Sequence, residues 1–355
     1  MKIALINMGN NVTDYKTTPS AETLYLANSL RSLSCEVDVI SNKDTENTTS
    51  YENANDPNTY DRLVVINGSV NFFGGSENYG VLNAQKFMSA YKSKIYYLLT
   101  DIRLGFSQSW PAIQGKEWKV NYSEETLMIK SPIKIISQGI NLDIAKDAHK
   151  KVIIPDLEYA HFPLERYKIY QDDFVIAKPT EKKFDLVYGG SFRAGQREQK
   201  MVEFLFDTGL NVEFFGTAKE SQFKNKKKYP WIVPPSFGKK VANSEMINKM
   251  SEGVATLIIG DKSYNDNFTT LRVWEAMASD AVMLIDEEFD SKHRIIDDAR
   301  FYVKNKAELI EMVQKLKSDK GLRDAMLSIQ RNELYRQINR KSQWQKAFKE
   351  VLDIE

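Results

Sequence analysis

Phe184-Asp185-Leu186-Val187-Tyr188-Gly189-Gly190-Ser191-Phe192-Arg193-Ala194-Gly195-Gln196-Arg197 is the stretch that decides how this chain folds. Its start, Phe184–Val187, is an apolar run of strand length, two glycines interrupt it, and the spacing that follows predicts a helix over Glu198–Asp207. A second strand-like run, Val212–Phe215, comes next. Strand, glycine turn, helix and strand in that order form a parallel βαβ unit.

The same alternation continues on both sides. Downstream, strands are predicted at Ala255–Ile259 and Ala281–Ile285, with helices at Ser244–Met250, Thr270–Ala278 and Ala307–Lys317. Upstream, strands are predicted at Ile3–Ile6, Val37–Ile40, Leu63–Ile66, Ile95–Leu99, Ile133–Ile136 and Val152–Ile154. Pro19-Ser20-Ala21-Glu22 opens a first helix that Leu24, Leu26 and Leu30 continue, and further helices fit Val81–Tyr91 and Leu142–Lys150. The pattern pauses between Glu158 and Lys183, a stretch rich in Tyr, Pro and charge. The expectation is an α/β protein of two Rossmann-like domains facing a deep cleft, residues 1–170 and 171–335. The charged C-terminal helix, about 336–355 with Trp344 and Phe348 as apolar anchors, is expected to pack back on the first domain.

Composition narrows the class. In 355 residues, 42% hydrophobic and 27% charged, there is enough apolar material for two cores and no bias toward disorder. The longest apolar runs, such as Val254–Ile259, are strand-length and too short to span a bilayer, and Met1-Lys2 leads straight into a strand rather than a signal peptide. A single cysteine, Cys35, excludes an internal disulfide framework and fits a reducing cytoplasm. The net charge is only +1, but Lys182–Lys240 carries twelve Lys/Arg against six Asp/Glu, an excess suited to phosphate or DNA. A solvated surface accounts for runs such as Lys226-Lys227-Lys228 equally well.

Four clusters could carry chemistry. In Gly189–Arg197, glycines let the backbone approach an anion, the helix N-terminus offers unpaired N–H groups, and Arg193 with Arg197 could clamp a diphosphate. The plain alternative is a strand–helix turn with surface arginines. In the second cluster, Ile259-Gly260-Asp261, Tyr264 and Arg272-Val273-Trp274-Glu275, a carboxylate could hold two vicinal hydroxyls; the alternative is a local Arg–Glu ion pair. In the third, Asp101 ends the run Ile95–Leu99 and could act as a general base, with Glu22 orienting a sugar; strand-ending aspartates also serve as helix caps. In the fourth, Asn71-Phe72-Phe73-Gly74-Gly75 could wedge into a base stack, or one Phe could plug the core. His149, His161 and His293 lack metal-ligand spacing, and no G-x-S-x-G element occurs.

The chain resembles the DNA β-glucosyltransferases of T-even bacteriophages. The resemblance runs from Met1-Lys2-Ile3-Ala4 and Asn7-Met8-Gly9-Asn10-Asn11 to the C-terminal helix, strongest in Asn71–Gly75, Lys92–Arg103, Phe106–Trp110, Lys130–Lys146, Gly189–Arg197, Met201–Gly216 and Leu257–Asp290. Asp44–Tyr60, Pro111–Glu125 and Thr217–Ser244 depart from the family pattern. The resemblance implies the GT-B architecture and inverting transfer of glucose from UDP-glucose to the hydroxymethyl group of 5-hydroxymethylcytosine in double-stranded DNA. It implies Asp101 as the general base and Glu22 beside the sugar. It assigns Gly190, Ser191, Arg193 and Arg197 to the diphosphate, Arg272 and Glu275 to the nucleoside, and Asp261, Tyr264, Phe215, Gly216, Lys240 and Val241 to the same pocket. Val241 stands where the family pattern has isoleucine. The segment Asn71, Phe72, Phe73 and Gly74 is implied to enter DNA beside a flipped base. A Mg2+ or Mn2+ ion at the diphosphate is compatible with this but written into no motif. A monomer is expected, because no exposed apolar helix or heptad stands out. The rivals are the same DNA reaction with another donor such as a UDP-pentose, transfer to a small metabolite or a protein, and a DNA-binding relative without activity.

Overall fold

The structure, a computed structural model, describes residues 1–7, 21–66, 79–99, 131–139, 157–162, 176–190, 196–216, 241, 243–260 and 264–355. The chain divides into two compact units: Met1–Gln171 with Arg340–Glu355, and Asp172–Asn339.

The first unit is built on seven parallel strands: β1 (Lys2–Asn7), β2 (Glu36–Ser41), β3 (Thr49–Ser50), β4 (Arg62–Ile66), β5 (Ile95–Leu99), β6 (Ile133–Ser137) and β7 (Leu157–His161). Their spatial order is β3-β2-β1-β4-β5-β6-β7. Ile3–Ile6, Leu63–Ile66 and Ile95–Leu98 are almost wholly buried, as a sheet covered on both faces requires. Two helices are described, α1 (Ala21–Ser32) and α2 (Tyr79–Ala90), each following a strand as expected. In this unit the sequence reading is corrected at two strands, the two-residue β3 and the edge strand β7. β7 lies inside the stretch where the pattern was expected to pause, because Leu157-Glu158-Tyr159-Ala160-His161 is an edge strand with little apolar run to betray it. Glu158 is ion-paired there with Lys94 at 2.9 Å. The expected strand Val152–Ile154 and helix Leu142–Lys150 lie outside the described residues.

The second unit holds β8 (Phe184–Gly189), β9 (Val212–Phe215), β10 (Gly253–Ile258), β11 (Val282–Asp286) and β12 (Tyr302–Val303), all parallel, in the order β12-β11-β10-β8-β9. Its helices are α3 (Gln196–Leu205), α4 (Asn243–Ser251), α5 (Leu271–Ala278), α6 (Lys306–Ser318) and α7 (Lys320–Ile338). The helices α4, α5 and α7 pack together over one face, and α3 with α6 over the other. Gln330 of α7, fully buried, accepts the Met283 N–H at 2.8 Å and donates to the Ala276 and Ala281 carbonyls at 2.9 and 3.1 Å. It thereby ties β11 to the C-terminal end of α5 and the turn that follows it.

The last helix, α8 (Lys341–Val351), returns to the first unit. Phe348 is fully buried, with its ring centroid 5.3 Å from that of Phe162. Beyond the helix, Arg62 donates to the carbonyls of Leu352 and Asp353 at 3.3 and 2.6 Å. The Asp353 carboxylate accepts from the Tyr96 hydroxyl at 2.6 Å and from the Lys134 ammonium at 3.0 Å. Partial burial raises this carboxyl, but Tyr96 and Lys134 outweigh it and hold Asp353 below the usual carboxylate range.

Candidate donor site in the second unit

In an open parallel sheet, ligands bind at the carboxyl ends of the strands, where the strand order reverses. In the second unit the chain leaves β8 for β9 on one side and returns to β10 on the other. The loops after β8 and β10 therefore flank a crevice, and they are the loops that begin at Gly190 and Ile259.

Close packing shapes the β8 rim. A Cβ on Gly189 would stand 2.7 Å from Met250 Cε and 3.1 Å from Met246 Sδ, both on α4, and 3.8 Å from Arg272 Cδ on α5. Side chains from two helices thus converge on the end of β8, and a Cβ here would have to displace the Met250 methyl. Gly190 donates its N–H to the Phe215 carbonyl at 2.8 Å, which ties the end of β8 to β9. Phe215 itself is buried, and Lys249 lies over its ring at 5.8 Å.

On the opposite rim, Gly260 leaves β10 against the buried ring of Phe289, and Tyr264 packs on Phe268 with centroids 5.3 Å apart. The Tyr264 carbonyl accepts the N–H groups of Asn267 and Phe268, both at 2.9 Å. Arg272 and Glu275 on α5 form an ion pair. An exposed pair of this kind contributes little. Glu275, however, is only 4% exposed, and the Arg272 stem lies beside Gly189. The pair therefore sits within the crevice rather than on open surface.

Three polar groups in these segments are buried without a hydrogen-bond partner: the Tyr188 hydroxyl, Asn265 Oδ1 and the Trp274 indole N–H. Each such group costs roughly 1–3 kcal/mol when left unpaired. Sequence reasoning missed Met246, Met250, Asn265 and Phe289, and nothing local signals them, since each acts through residues far away in the chain.

Of the residues singled out in the sequence, Gly190, Phe215, Gly216, Val241, Tyr264, Arg272 and Glu275 are described, and Gly189, Arg272 and Glu275 come together. Arg197 lies in the first turn of α3 and Glu22 in the first turn of α1, with side chains outside the description. Ser191, Arg193, Lys240, Asp261, Asp101 and Asn71, Phe72, Phe73 and Gly74 lie outside the described residues. In sequence, Asp101 follows the C-terminal end of β5 by two residues.

Two parallel α/β sheets, with a glycine turn and an Arg272–Glu275 pair whose carboxylate is buried in the second, match the GT-B glycosyltransferase class of architecture. Residues 1–168 match the family model "Bacteriophage T4 beta-glucosyltransferase", and residues 196–353 match "Glycosyl transferase-like". The DNA beta-glucosyltransferase of Enterobacteria phage T4 is 60% identical over 354 residues, 100% of each chain. The crystal structure of that T4 enzyme with its UDP-glucose substrate superposes with a TM-score of 0.88 at 59% identity, covering 99% of this chain and 100% of that one. The T4 enzyme with UDP and Mn2+ gives 0.87 at 60%, with the same coverage. WaaG, a glycosyltransferase of lipopolysaccharide biosynthesis, shares the fold alone, with a TM-score of 0.53 at 13% identity over 98% of this chain and 99% of its own. The chain belongs to the bacteriophage T4 β-glucosyltransferase family.

Proposed function

We propose that this chain transfers glucose from UDP-glucose to the hydroxymethyl group of 5-hydroxymethylcytosine in double-stranded DNA, with inversion at the anomeric carbon. The observation that carries the reading is the crevice where Gly189, Arg272 and buried Glu275 meet, in a chain 60% identical end to end to a DNA β-glucosyltransferase. Glu275 offers a desolvated carboxylate to the ribose hydroxyls, and Arg272 covers the nucleoside. The diphosphate takes the backbone N–H groups from Gly190 and Ser191 onward, with Arg193 and Arg197 as counter-charges. Phe215, Gly216, Lys240, Val241, Asp261 and Tyr264 complete the pocket.

The reaction is a single in-line displacement. The Asp101 carboxylate takes the proton of the hydroxymethyl O–H while that oxygen attacks the anomeric carbon. The bond from that carbon to the phosphate oxygen breaks on the opposite face, and its electron pair leaves with UDP. Arg193, Arg197 and the start of α3 stabilise the departing charge, an effect commonly worth several kcal/mol. Glu22 orients the sugar. The target base leaves the duplex stack at a cost of roughly a few kcal/mol, offset by the pocket and by Asn71, Phe72, Phe73 and Gly74 entering the gap.

Among the described residues no group of three or more His, Cys, Asp or Glu side chains could hold a metal. A Mg2+ or Mn2+ ion beside the diphosphate is compatible with the reading, as in the T4 enzyme's structure with UDP and Mn2+. No helix among the described residues is long and apolar enough to cross a membrane. The acceptor locates the work in the host cytoplasm during phage infection, and we expect the enzyme to act as a monomer.

The test is mass spectrometry of digested 5-hydroxymethylcytosine DNA after incubation with the protein and a panel of UDP-sugars. A hexose-sized adduct from UDP-glucose is the expected result. A pentose-sized adduct would change the donor, and no adduct with any donor would refute the proposal.

A further inference from the structure

Lys200 and Asp286 form an ion pair that none of the roles above uses. Lys200 lies on α3 three residues past Arg197. Its ammonium is 3.3 Å from Oδ1 and 3.3 Å from Oδ2 of Asp286, and 3.0 Å from the carboxylate of Glu288. The ammonium also lies over the Phe204 ring, 5.4 Å from the centroid. Asp286 is the last residue of β11 and its side chain is 2% exposed; Oδ1 also accepts the Glu288 N–H at 3.3 Å. Burial pushes the Asp286 carboxyl up against the opposing pull of Lys200. The Lys200 ammonium is partly desolvated, yet Asp286 and Glu288 more than compensate and raise it. A buried carboxylate is costly even when paired, and an apolar pair would often be as stable, so its presence asks for a role beyond stability.

The register of the sheet locates that role. Ile258 is level with Ile285, and Thr256 with Val187. Asp286 therefore stands level with Ile259 and Gly190 on the carboxyl rim. It is two strand spacings from Gly190, or about 10 Å. The pair bridges from the helix that carries Arg197, past the end of β10, to the far side of the crevice. At the other end of the loop, Gly190 is tied to Phe215 by its 2.8 Å hydrogen bond.

We infer that Lys200 and Asp286 are positioning residues, a cross-brace that fixes the first turns of α3 and so aims Arg197 and the anion loop at the diphosphate of the sugar donor. The inference rests on the reading of Gly190–Arg197 as the diphosphate site. Arg197 meets the diphosphate in bound UDP-glucose and again as charge develops on the departing UDP, so loss of the brace weakens UDP affinity, raises KM and lowers kcat.

The test compares calorimetric UDP binding and steady-state kinetics of the full chain with Lys200→Met, Lys200→Arg, Asp286→Asn and the double variant Lys200→Met/Asp286→Leu. The double variant replaces the pair by apolar groups and so guards against simple unfolding. Expected are rises of about tenfold in UDP Kd and UDP-glucose KM for Lys200→Met, Asp286→Asn and the double variant, with a fall in kcat beside them and substantial recovery of all three in Lys200→Arg. Unchanged UDP affinity in the folded double variant would overturn the inference. So would opposite signs, weaker for Lys200→Met and tighter for Asp286→Asn, since Lys200 would then act as a direct counter-charge. A wild-type chain that fails to bind UDP would refute the donor-site reading itself, an outcome distinct from both.

Discussion

Replacing Gly260 by alanine tests whether the β10 rim of the crevice is held by steric fit. A Cβ there would fall 2.2 Å from Cδ2 and 2.9 Å from Cε2 of Phe289, and 3.1 Å from Asn265 Oδ1. Carbon atoms rest about 3.5–4.0 Å apart, so the ring would have to withdraw by about 1.3 Å or more. It has nowhere easy to go. Phe289 is 1% exposed, its N–H donates to the Asp286 carbonyl at 2.8 Å, and its own carbonyl accepts the Asp266 N–H at 2.9 Å. Overpacking of this kind costs roughly 1–3 kcal/mol, and a clash against a pinned ring belongs near the top, about 3 kcal/mol. For a unit of this size that lowers Tm by roughly 6–12 °C. UDP affinity should fall as well, because Gly260 leads directly into Asp261 and Tyr264. The assay is thermal unfolding with UDP calorimetry on Gly260→Ala, Phe289→Ala and the double variant. Phe289→Ala alone should cost about 3–5 kcal/mol through its cavity. In the double variant the new methyl meets no ring, so the double should cost no more than Phe289→Ala. Strictly additive costs, or a Gly260→Ala protein within roughly 0.5 kcal/mol of wild type, would refute the steric argument.

Asp101→Ala should abolish glucosyl transfer to hydroxymethylated DNA while leaving UDP affinity within about twofold, and turnover at the wild-type rate would remove Asp101 from the base's role. Glu275→Gln should forfeit a charge-assisted hydrogen bond of roughly 1.5–3 kcal/mol, raising the KM for UDP-glucose about ten- to a hundredfold. It should also lose discrimination against the 2′-deoxyribose analogue, and retained discrimination would point to a purely structural Arg272–Glu275 pair. The hold of Asp353 on Tyr96 and Lys134 should be sensitive to acid. Its folded value lies below the ordinary 3.8, so its contribution is complete above that value and is lost as pH falls through the lowered one. Pepsin cleavage within α8 should accelerate in that window, and Asp353→Ala should show the fast rate at its upper end; equal rates for both proteins throughout would dismiss the latch.

Much of the fold was legible in the sequence because it depends on local pattern. Buried parallel strands such as Ile3–Ile6, Leu63–Ile66 and Ile95–Leu98 are continuous apolar runs, and the helices between them repeat with helical period. The strands that escaped are those with too little local signal. β3 and β12 are two residues each, and β7 alternates polar and apolar residues at an edge, where one side meets solvent. Gly189-Gly190 and the Arg272–Glu275 spacing were legible for the same reason, since a glycine turn and an i,i+3 pair are properties of neighbouring residues.

Sequence by itself thus determined two α/β units, the residue types able to hold a nucleoside diphosphate, and a family resemblance pointing to DNA. Only the tertiary structure decided that β10 returns to the far side of β8, which brings Gly189 against Arg272 and makes the strand ends a crevice. It alone put Phe289 behind Gly260, Asp286 beneath Lys200 and Asp353 between Tyr96 and Lys134. These contacts join residues 29, 86 and more than two hundred positions apart. Local periodicity carries no information at such separations, and they exist because burying both faces of each sheet leaves the chain few ways to close.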